Sequence, residues 1–156
     1  EDALNGGGGD DRLWAQDGND TVSGDSGDDV ICAGAGDDVV DGGDGNDYIL
    51  AEDGADTVAD GLGFDYMYGG AGADTFVFKR RDSADWIIDF KASEGDRLRL
   101  EGFGYGDFTA VPLLDLSTPG HAAVQLTVLN LADGSYDQLT IFGVTLVELS
   151  AANVLV

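Results

Sequence analysis

Apolar residues recur every nine positions through the first half of the chain. Eight consecutive blocks of nine run from residue 6 to residue 77 without insertion or deletion, and the eighth position of every block is apolar. The last three residues of each block predict a short strand whose middle side chain points inward. The first six residues, rich in Gly and Asp, predict a tight turn. The inward residues are Leu13, Val22, Ile31, Val40, Ile49, Val58, Met67 and Phe76.

Two positions of the turn are the same in all eight blocks, Gly at the fourth and Asp at the sixth. Gly adopts positive φ and lets backbones approach closely, so a short turn can aim its carbonyl oxygens at one point. Asp adds an anionic oxygen, and Ca²⁺ takes roughly 6–8 oxygen ligands, backbone carbonyls included. The candidate glycines are Gly9, Gly18, Gly27, Gly36, Gly45, Gly54, Gly63 and Gly72. The candidate carboxylates are Asp11, Asp20, Asp29, Asp38, Asp47, Asp56, Asp65 and Asp74, with Asp2 in the same register before the first block.

The repeat length predicts how the turns are arranged in space. Two blocks, 18 residues, would make one coil of a flattened spiral. Successive coils would stack at the parallel-strand spacing of about 4.8 Å, with alternate turns on opposite edges. We therefore expect an all-β fold, a right-handed parallel β-roll (a solenoid of the β-helix kind) followed by a β-rich C-terminal cap. A metal-free solenoid is the alternative, and it would line up unneutralised Asp side chains along both edges.

Charge narrows the classes of partner. The chain carries 31 acidic and 7 basic residues, for a net charge of −24. Nucleic acids and anionic membranes need basic patches, so neither is an expected partner, and no apolar run is long enough to span a bilayer. Two carboxylates about 4 Å apart repel by roughly 4 kcal/mol at an effective dielectric of 20, and a cation between them reverses the sign. The excess of acidic residues therefore predicts that the protein binds a multivalent cation, which would neutralise them.

The blocks resemble the RTX (repeats-in-toxin) nonapeptide, Gly-Gly-x-Gly-x-Asp-x-apolar-x. The resemblance implies Ca²⁺ held between turns two blocks apart, by the sixth-position Asp and backbone carbonyls of both turns. Asp29 would share one ion with Asp11 and another with Asp47. Six complete sites are expected, with a seventh, partial one between the turns of Asp2 and Asp20. Non-Gly residues at the second position, Gln16, Asp25 and Glu52, predict weaker sites beside them.

The composition changes after residue 74, where Gly thins out and aromatic and β-branched residues appear. Strands are predicted at 75–78, 84–90 and 97–100, and a hairpin from 122–131 and 137–144. These segments resemble the cap that follows RTX repeats in secreted proteases, lipases and alginate epimerases. We divide the chain into a roll (1–77) and a capping region (78–156); the stretch 104–120 resembles nothing that we can place.

The resemblance of the cap also implies how the protein is exported. Its last 50 or so residues would carry an uncleaved signal for type I secretion, so the expected location is extracellular and the secretion machinery is an expected partner. No N-terminal signal peptide is legible. The sequence begins inside a repeat, so we expect further repeats before it.

Two other functions were weighed against calcium-driven folding. Six of the seven basic residues lie between Lys79 and Arg99, which allows a carbohydrate-binding or surface-attachment module for an acidic polysaccharide, or simply a solubilising offset to the acidic roll. The chain shows no legible catalytic site. We interpret the one histidine, His121, as a loop residue and the one cysteine, Cys32, as an incidental surface thiol.

Overall fold

Two parallel β-sheets face each other across a narrow apolar interior in the computed structural model. The structure describes residues 1–79, 84–101, 114–115, 123–129, 136–142 and 154–155. The first sheet consists of β1 (Ala3–Gly8), β3 (Thr21–Ser26), β5 (Val39–Asp44), β7 (Thr57–Leu62), β9 (Thr75–Lys79), β11 (Arg97–Glu101) and β15 (Val154–Leu155). The second consists of β2 (Arg12–Asp17), β4 (Val30–Ala35), β6 (Tyr48–Asp53), β8 (Tyr66–Tyr68), β10 (Ala84–Ile87), β14 (Tyr136–Phe142), β13 (Ala123–Leu129) and β12 (Leu114–Asp115).

Within the repeats each strand pairs in parallel with the strand 18 residues later. Leu13 lies beside Ile31, and Val22 beside Val40. The eighth-position side chains therefore form two stacked columns, and from Val22 to Phe76 each is at most 1% exposed. This confirms both the parallel β-roll and the inward position.

The strands are longer than the sequence pattern predicts. Strands β1 to β7 cover six residues in place of three, because each runs on through the first three positions of the next block, whereas β8 keeps the predicted three. The first position lies two residues beyond the eighth, so alternation along a strand points it to the same face. Ala15, Ala33 and Ala51 are accordingly buried there. Only small side chains at this position suit so narrow an interior.

Beyond residue 77 both sheets continue into the cap. Strand β9 crosses the predicted boundary, and Thr75 pairs with Arg97 while Tyr66 pairs with Trp86, so the coil lengthens to 22 and 20 residues. Strand β14 adds in parallel to β10, and β13 pairs antiparallel with β14, which confirms the predicted hairpin. The division into two domains remains a prediction. The part of the chain that the structure describes contains no helix long and apolar enough to cross a bilayer.

The predicted cap elements are partly described. The strand expected at 84–90 is shorter, Ala84–Ile87, and that expected at 97–100 is β11. Phe90, Ile87, Leu98 and Ile141 extend the apolar interior of the roll. Arg80, Arg81, His121 and most of the stretch 104–120 lie outside the described residues.

Candidate metal centres

The sixth-position Asp side chains form a continuous ladder along each edge of the roll. In each step the Oδ1 atom of one Asp accepts a hydrogen bond from the backbone N–H of the Asp one coil earlier. Asp20 N donates to Asp38 Oδ1 over 2.7 Å, and Asp29 N donates to Asp47 Oδ1 over 2.9 Å. One edge carries Asp11, Asp29, Asp47, Asp65 and Asp85, and the other carries Asp2, Asp20, Asp38, Asp56, Asp74 and Asp96.

The second carboxylate oxygen of these residues has no partner of its own. The Oδ2 atoms of eight ladder residues are buried and accept no hydrogen bond from any described group. Burying an ionised carboxylate without compensation is costly, so such atoms call for a cation or a proton. The atoms belong to Asp11, Asp20, Asp29, Asp38, Asp47, Asp56, Asp65 and Asp74.

Backbone carbonyls approach the same gaps because the turns contain Gly. A Cβ placed on Gly24 would collide with Asp29 Oδ2 and with the carbonyl oxygen of Gly42. At the fourth position, Gly36 has a φ of 139°, and a Cβ there would overlap the carbonyl oxygen of Gly18. Gly thus lets carboxylate and carbonyl oxygens crowd between consecutive coils. All eight fourth-position glycines predicted as site residues have positive φ; that they direct ligands onto an ion remains a prediction.

The ligand set cannot consist of side chains alone. Among the residues that the structure describes, no three His, Cys, Asp or Glu side chains converge closely enough to hold a metal ion. Two carboxylates from adjacent coils, completed by carbonyl oxygens, match the hard, oxygen-rich coordination that Ca²⁺ accepts. The donor chemistry therefore fits calcium and is a poor fit for the nitrogen and sulfur ligands that zinc prefers.

Three turns depart from Gly at the second position, as the sequence indicates. Gln16, Asp25 and Glu52 adopt φ values of 77°, 70° and 80°. Residues with a Cβ lose roughly 1–2 kcal/mol in this left-handed region. The turn geometry is therefore imposed by the stack at these positions, and the prediction that the neighbouring sites are weaker still stands.

Two ladder residues were missed by the sequence reasoning. Asp65 N donates to Asp85 Oδ1 and Asp74 N donates to Asp96 Oδ1, both over 3.1 Å. The change in coil length hides them from a strict nine-residue register. The signal that could have found them is the Asp-x-apolar triplet of the repeat, which recurs at Asp85–Ile87 and at Asp96–Leu98.

Asp96 differs from the other ladder residues because Lys91 lies beside it. The backbone N–H of Lys91 donates to Asp96 Oδ2 over 2.7 Å. The Lys91 ammonium donates to the carbonyl oxygen of Gly70 over 3.0 Å and pairs with Glu94 over 3.2 Å. The last Asp of this edge of the ladder thus lies next to the residue Lys91, whose ammonium group is a positive charge of the protein itself.

Burial changes the acidity of the ladder. It raises the pKa of Asp47 and Asp74 to about 6, of Asp56 to about 7 and of Asp65 to about 8. A hydrogen bond from the neighbouring backbone N–H opposes each pKa shift, and nearby carboxylates add to it. Because these folded-state pKa values exceed the ordinary Asp pKa of 3.8, protonation of the carboxylates stabilises the roll at low pH, and this stabilisation disappears as pH rises through 6 to 8.

Calcium must displace those protons, which predicts a pH-dependent affinity. At pH 6, one unit below its pKa of about 7, the Asp56 carboxylate is about nine-tenths protonated. We therefore expect calcium to bind roughly tenfold more weakly at pH 6 than at pH 8. Isothermal titration calorimetry at the two pH values, with proton release followed through buffers of different ionisation enthalpy, measures this. Equal affinity at both pH values would contradict the assignment of these carboxylates as ligands.

The stacked, oxygen-lined turns define a calcium-binding β-roll of repeated nonapeptides. The model of the RTX calcium-binding nonapeptide repeat matches residues 1–31, 24–58 and 50–78, together half of the chain. The protein therefore belongs to the RTX calcium-binding nonapeptide repeat family, and this chain is a calcium-binding repeat module. A comparison with curated proteins found no match.

Two solved structures with the same fold are subunits of one enzyme. The chain is similar to the AlgE6R3 subunit of the Azotobacter vinelandii mannuronan C5-epimerase, with 29% identity, a TM-score of 0.61 and coverage of 88% of this chain and 80% of that one. It shares the fold of the AlgE6R2 subunit of the same enzyme, with 24% identity, a TM-score of 0.58 and coverage of 99% and 92%.

The one cysteine does not have the character of a nucleophile. Cys32 is half-buried on β4, and burial, reinforced by Glu52, raises the pKa of its thiol. A thiol that stays protonated is a weak nucleophile. His121 lies outside the described residues.

Proposed function

We propose that calcium binding drives the folding and stabilisation of this roll outside the cell, after export by a type I secretion system. The observation that carries the proposal is the row of buried, unpartnered Oδ2 atoms along both edges. Without a cation these oxygens can be satisfied only by protons. In calcium-poor cytosol at neutral pH the repulsion would keep the chain open, which suits passage through a secretion channel. The RTX family match supports an extracellular location, which is typical of that family.

Six complete calcium sites would lie between successive ladder residues. They join Asp11 to Asp29, Asp29 to Asp47 and Asp47 to Asp65 on one edge, and Asp20 to Asp38, Asp38 to Asp56 and Asp56 to Asp74 on the other. A seventh, between Asp2 and Asp20, would be partial; the terminal amino group lies 3.6 Å from Asp20 Oδ1 there.

The expected free energy is large enough to decide whether the domain folds. Extracellular calcium modules bind with dissociation constants near about 10⁻⁴–10⁻³ M. Calcium at ten times that constant contributes roughly 1.4 kcal/mol per site. Six sites would contribute about 8 kcal/mol, which is comparable to the stability of a whole domain, about 5–15 kcal/mol.

Circular dichroism during a calcium titration tests the proposal. We expect little strand signal in excess chelator at pH 8 and a steep, saturable gain as calcium is added. Magnesium at the same ionic strength is the control, since it screens charge equally but prefers a smaller octahedral site with several waters. A strand signal that is already complete in excess chelator would refute the proposal, and an equal response to magnesium would reduce it to charge screening.

Binding of an acidic polysaccharide is a second candidate, favoured by the likeness to subunits of an enzyme named for mannuronan. Lys79, Arg97 and Arg99 lie on neighbouring strands β9 and β11 of the first sheet. Lys79 Nζ lies 3.5 Å from Asp41 Oδ2, and Arg99 Nε lies 3.4 Å from Glu101 Oε1. Part of the positive charge of these basic residues is therefore already paired with acidic side chains. Saturable mannuronan binding by the calcium-loaded chain, lost when Arg80, Arg81, Arg97 and Arg99 become Ala, would support it. Unchanged binding would exclude these residues.

A further inference from the structure

Asp60 places an unusual carboxylate inside the roll. It occupies the first position of its block on β7, where the other turns on the same edge have Gly6, Gly24 and Gly42. Its side chain is fully buried, at 0% exposure. An acid in a narrow apolar interior is strongly unfavourable unless something compensates its charge.

The repeat geometry defines where this side chain points. A Cβ built on Gly24 would meet Asp29 Oδ2, and one built on Gly42 would come within 2.6 Å of Asp47 Oδ2. In each case the added Cβ would touch the Oδ2 atom of the sixth-position Asp in the same turn, which is the carboxylate oxygen without a hydrogen bond. Asp60 carries the Cβ that those glycines lack, and by analogy with them its side chain would extend toward the corresponding oxygen of Asp65.

The contacts of Asp60 leave one oxygen unsatisfied. Its Oδ1 accepts a hydrogen bond from the backbone N–H of Gly61 over 2.8 Å, whereas its Oδ2 is buried and accepts none from the described residues. The carboxylates of Asp85 and Asp65 act on it electrostatically, and the ammonium of Lys79 offsets them only weakly. Lys79 instead lies 3.5 Å from Asp41.

The carboxylates of Asp65 and Asp85 thus act on Asp60 between the last repeat coil and the first coil of the cap, although the three side chains do not converge into a ready-made metal site. We propose that Asp60 supplies a third anionic oxygen ligand to a divalent cation held between Asp65 and Asp85, which makes this junction a tighter cation site than those with two carboxylates. The three side chains do not form a closed site alone, so backbone carbonyls would complete it. The inference rests on the proposed calcium function and extends it to a position where the repeat itself has no ligand.

A higher ligand charge has two consequences. Calcium affinity rises with the number of charged ligands in a site, so the junction would fill first as calcium is added. The ion would also join β7, through Asp60, to the turn before β10, through Asp85. The cap would then be attached to the roll at lower calcium than the repeats need to fill.

Terbium luminescence addresses this one site. Trp86 follows Asp85, and its ring lies 4.4 Å from that of Tyr66, which follows Asp65. A Tb³⁺ ion between these two acids would therefore be excited through Trp86. The experiment uses the full chain with Trp14→Phe, so that Trp86 is the sole tryptophan, and titrates Tb³⁺ and then Ca²⁺ as competitor.

Asp60→Asn should raise the Tb³⁺ concentration for half-maximal emission roughly tenfold, because the site loses one of its charged ligands. Asp60→Gly, which restores the residue found at Gly24 and Gly42, should do the same and serves if the Asn variant folds poorly. Asp53→Asn removes an exposed charge and should leave the emission midpoint unchanged.

An unchanged midpoint in both Asp60 variants would overturn the inference and make Asp60 a neutral, protonated core acid. The calcium-dependent strand signal of the unsubstituted chain is measured in parallel. If that signal responds to calcium while the Asp60 variants bind Tb³⁺ normally, only the inference fails. If it does not respond, the proposed function fails as well.

Discussion

Replacing Asp47 with Ala should destabilise the calcium-saturated protein by about 4 kcal/mol, as should replacing any ladder residue that lies between two proposed ions. Asp47 lies between two proposed ions, and losing both costs roughly 3 kcal/mol at calcium ten times the dissociation constant. Its Oδ1 also accepts the Asp29 N–H over 2.9 Å, and an unpaired buried donor costs about 1–3 kcal/mol. Urea unfolding in ample calcium, followed by circular dichroism, measures the loss.

Two further variants separate these causes. Asp47→Asn keeps an oxygen that can accept the Asp29 N–H but removes the charge, so it should cost less than Asp47→Ala and still weaken calcium binding. Asp53→Ala, at an exposed third position where two other turns have Ala35 and Ala71, should change stability by less than about 0.5 kcal/mol. Asp47→Ala and Asp53→Ala of equal stability would contradict a role for Asp47 in binding calcium.

Gly45→Ala should cost about 3 kcal/mol through the backbone alone. Gly45 has a φ of 140°, a strained region for residues with a Cβ, and an added Cβ would overlap the carbonyl oxygen of Gly27 one coil away. Strain of this kind costs roughly 1–3 kcal/mol, and the collision must also push the two coils apart. Because the displaced carbonyl lies at a proposed calcium site, calcium affinity should fall together with the thermal midpoint.

Two other glycines serve as controls for strain and for collision. Gly9 has a φ of 99° with nothing within 4 Å of an added Cβ, so Gly9→Ala tests backbone strain alone, at roughly 1–2 kcal/mol. Gly8 lacks positive φ, and its Cβ would first meet Ser26 Oγ at 3.8 Å, so Gly8→Ala should be nearly neutral. If Gly45→Ala cost no more than Gly9→Ala, close contact between coils would not be what requires Gly.

The repeats could be predicted because their register is local and unbroken. One eighth-position residue such as Ile49 indicates a buried column, and 18-residue spacing then sets its neighbours as Ile31 and Met67. Strand length was underestimated because Gly and Ala at the first position carry little hydrophobic signal, although Ala51 is as buried as Ile49. Small side chains can be core residues wherever the interior is narrow.

The cap and the end of the ladder could not be predicted in the same way. Their coils lengthen, so Asp85 and Asp96 fall out of the nine-residue register even though their backbone contacts continue it. The pairing of β14 with β10 joins residues about 54 positions apart, as between Ala84 and Gln138, and no local pattern specifies such a partner. The burial of Asp60 could not be predicted either, because one acidic residue at a turn position gives no sign in the sequence that its side chain faces the interior.

A crystal structure of the protein grown in ample calcium, with anomalous scattering data, tests most directly whether cations hold these turns together. We expect anomalous peaks between Asp29 and Asp47 on one edge and between Asp38 and Asp56 on the other, each within about 2.3–2.6 Å of both carboxylates and of backbone carbonyl oxygens. Well-ordered gaps at these positions, holding water or nothing, would contradict it.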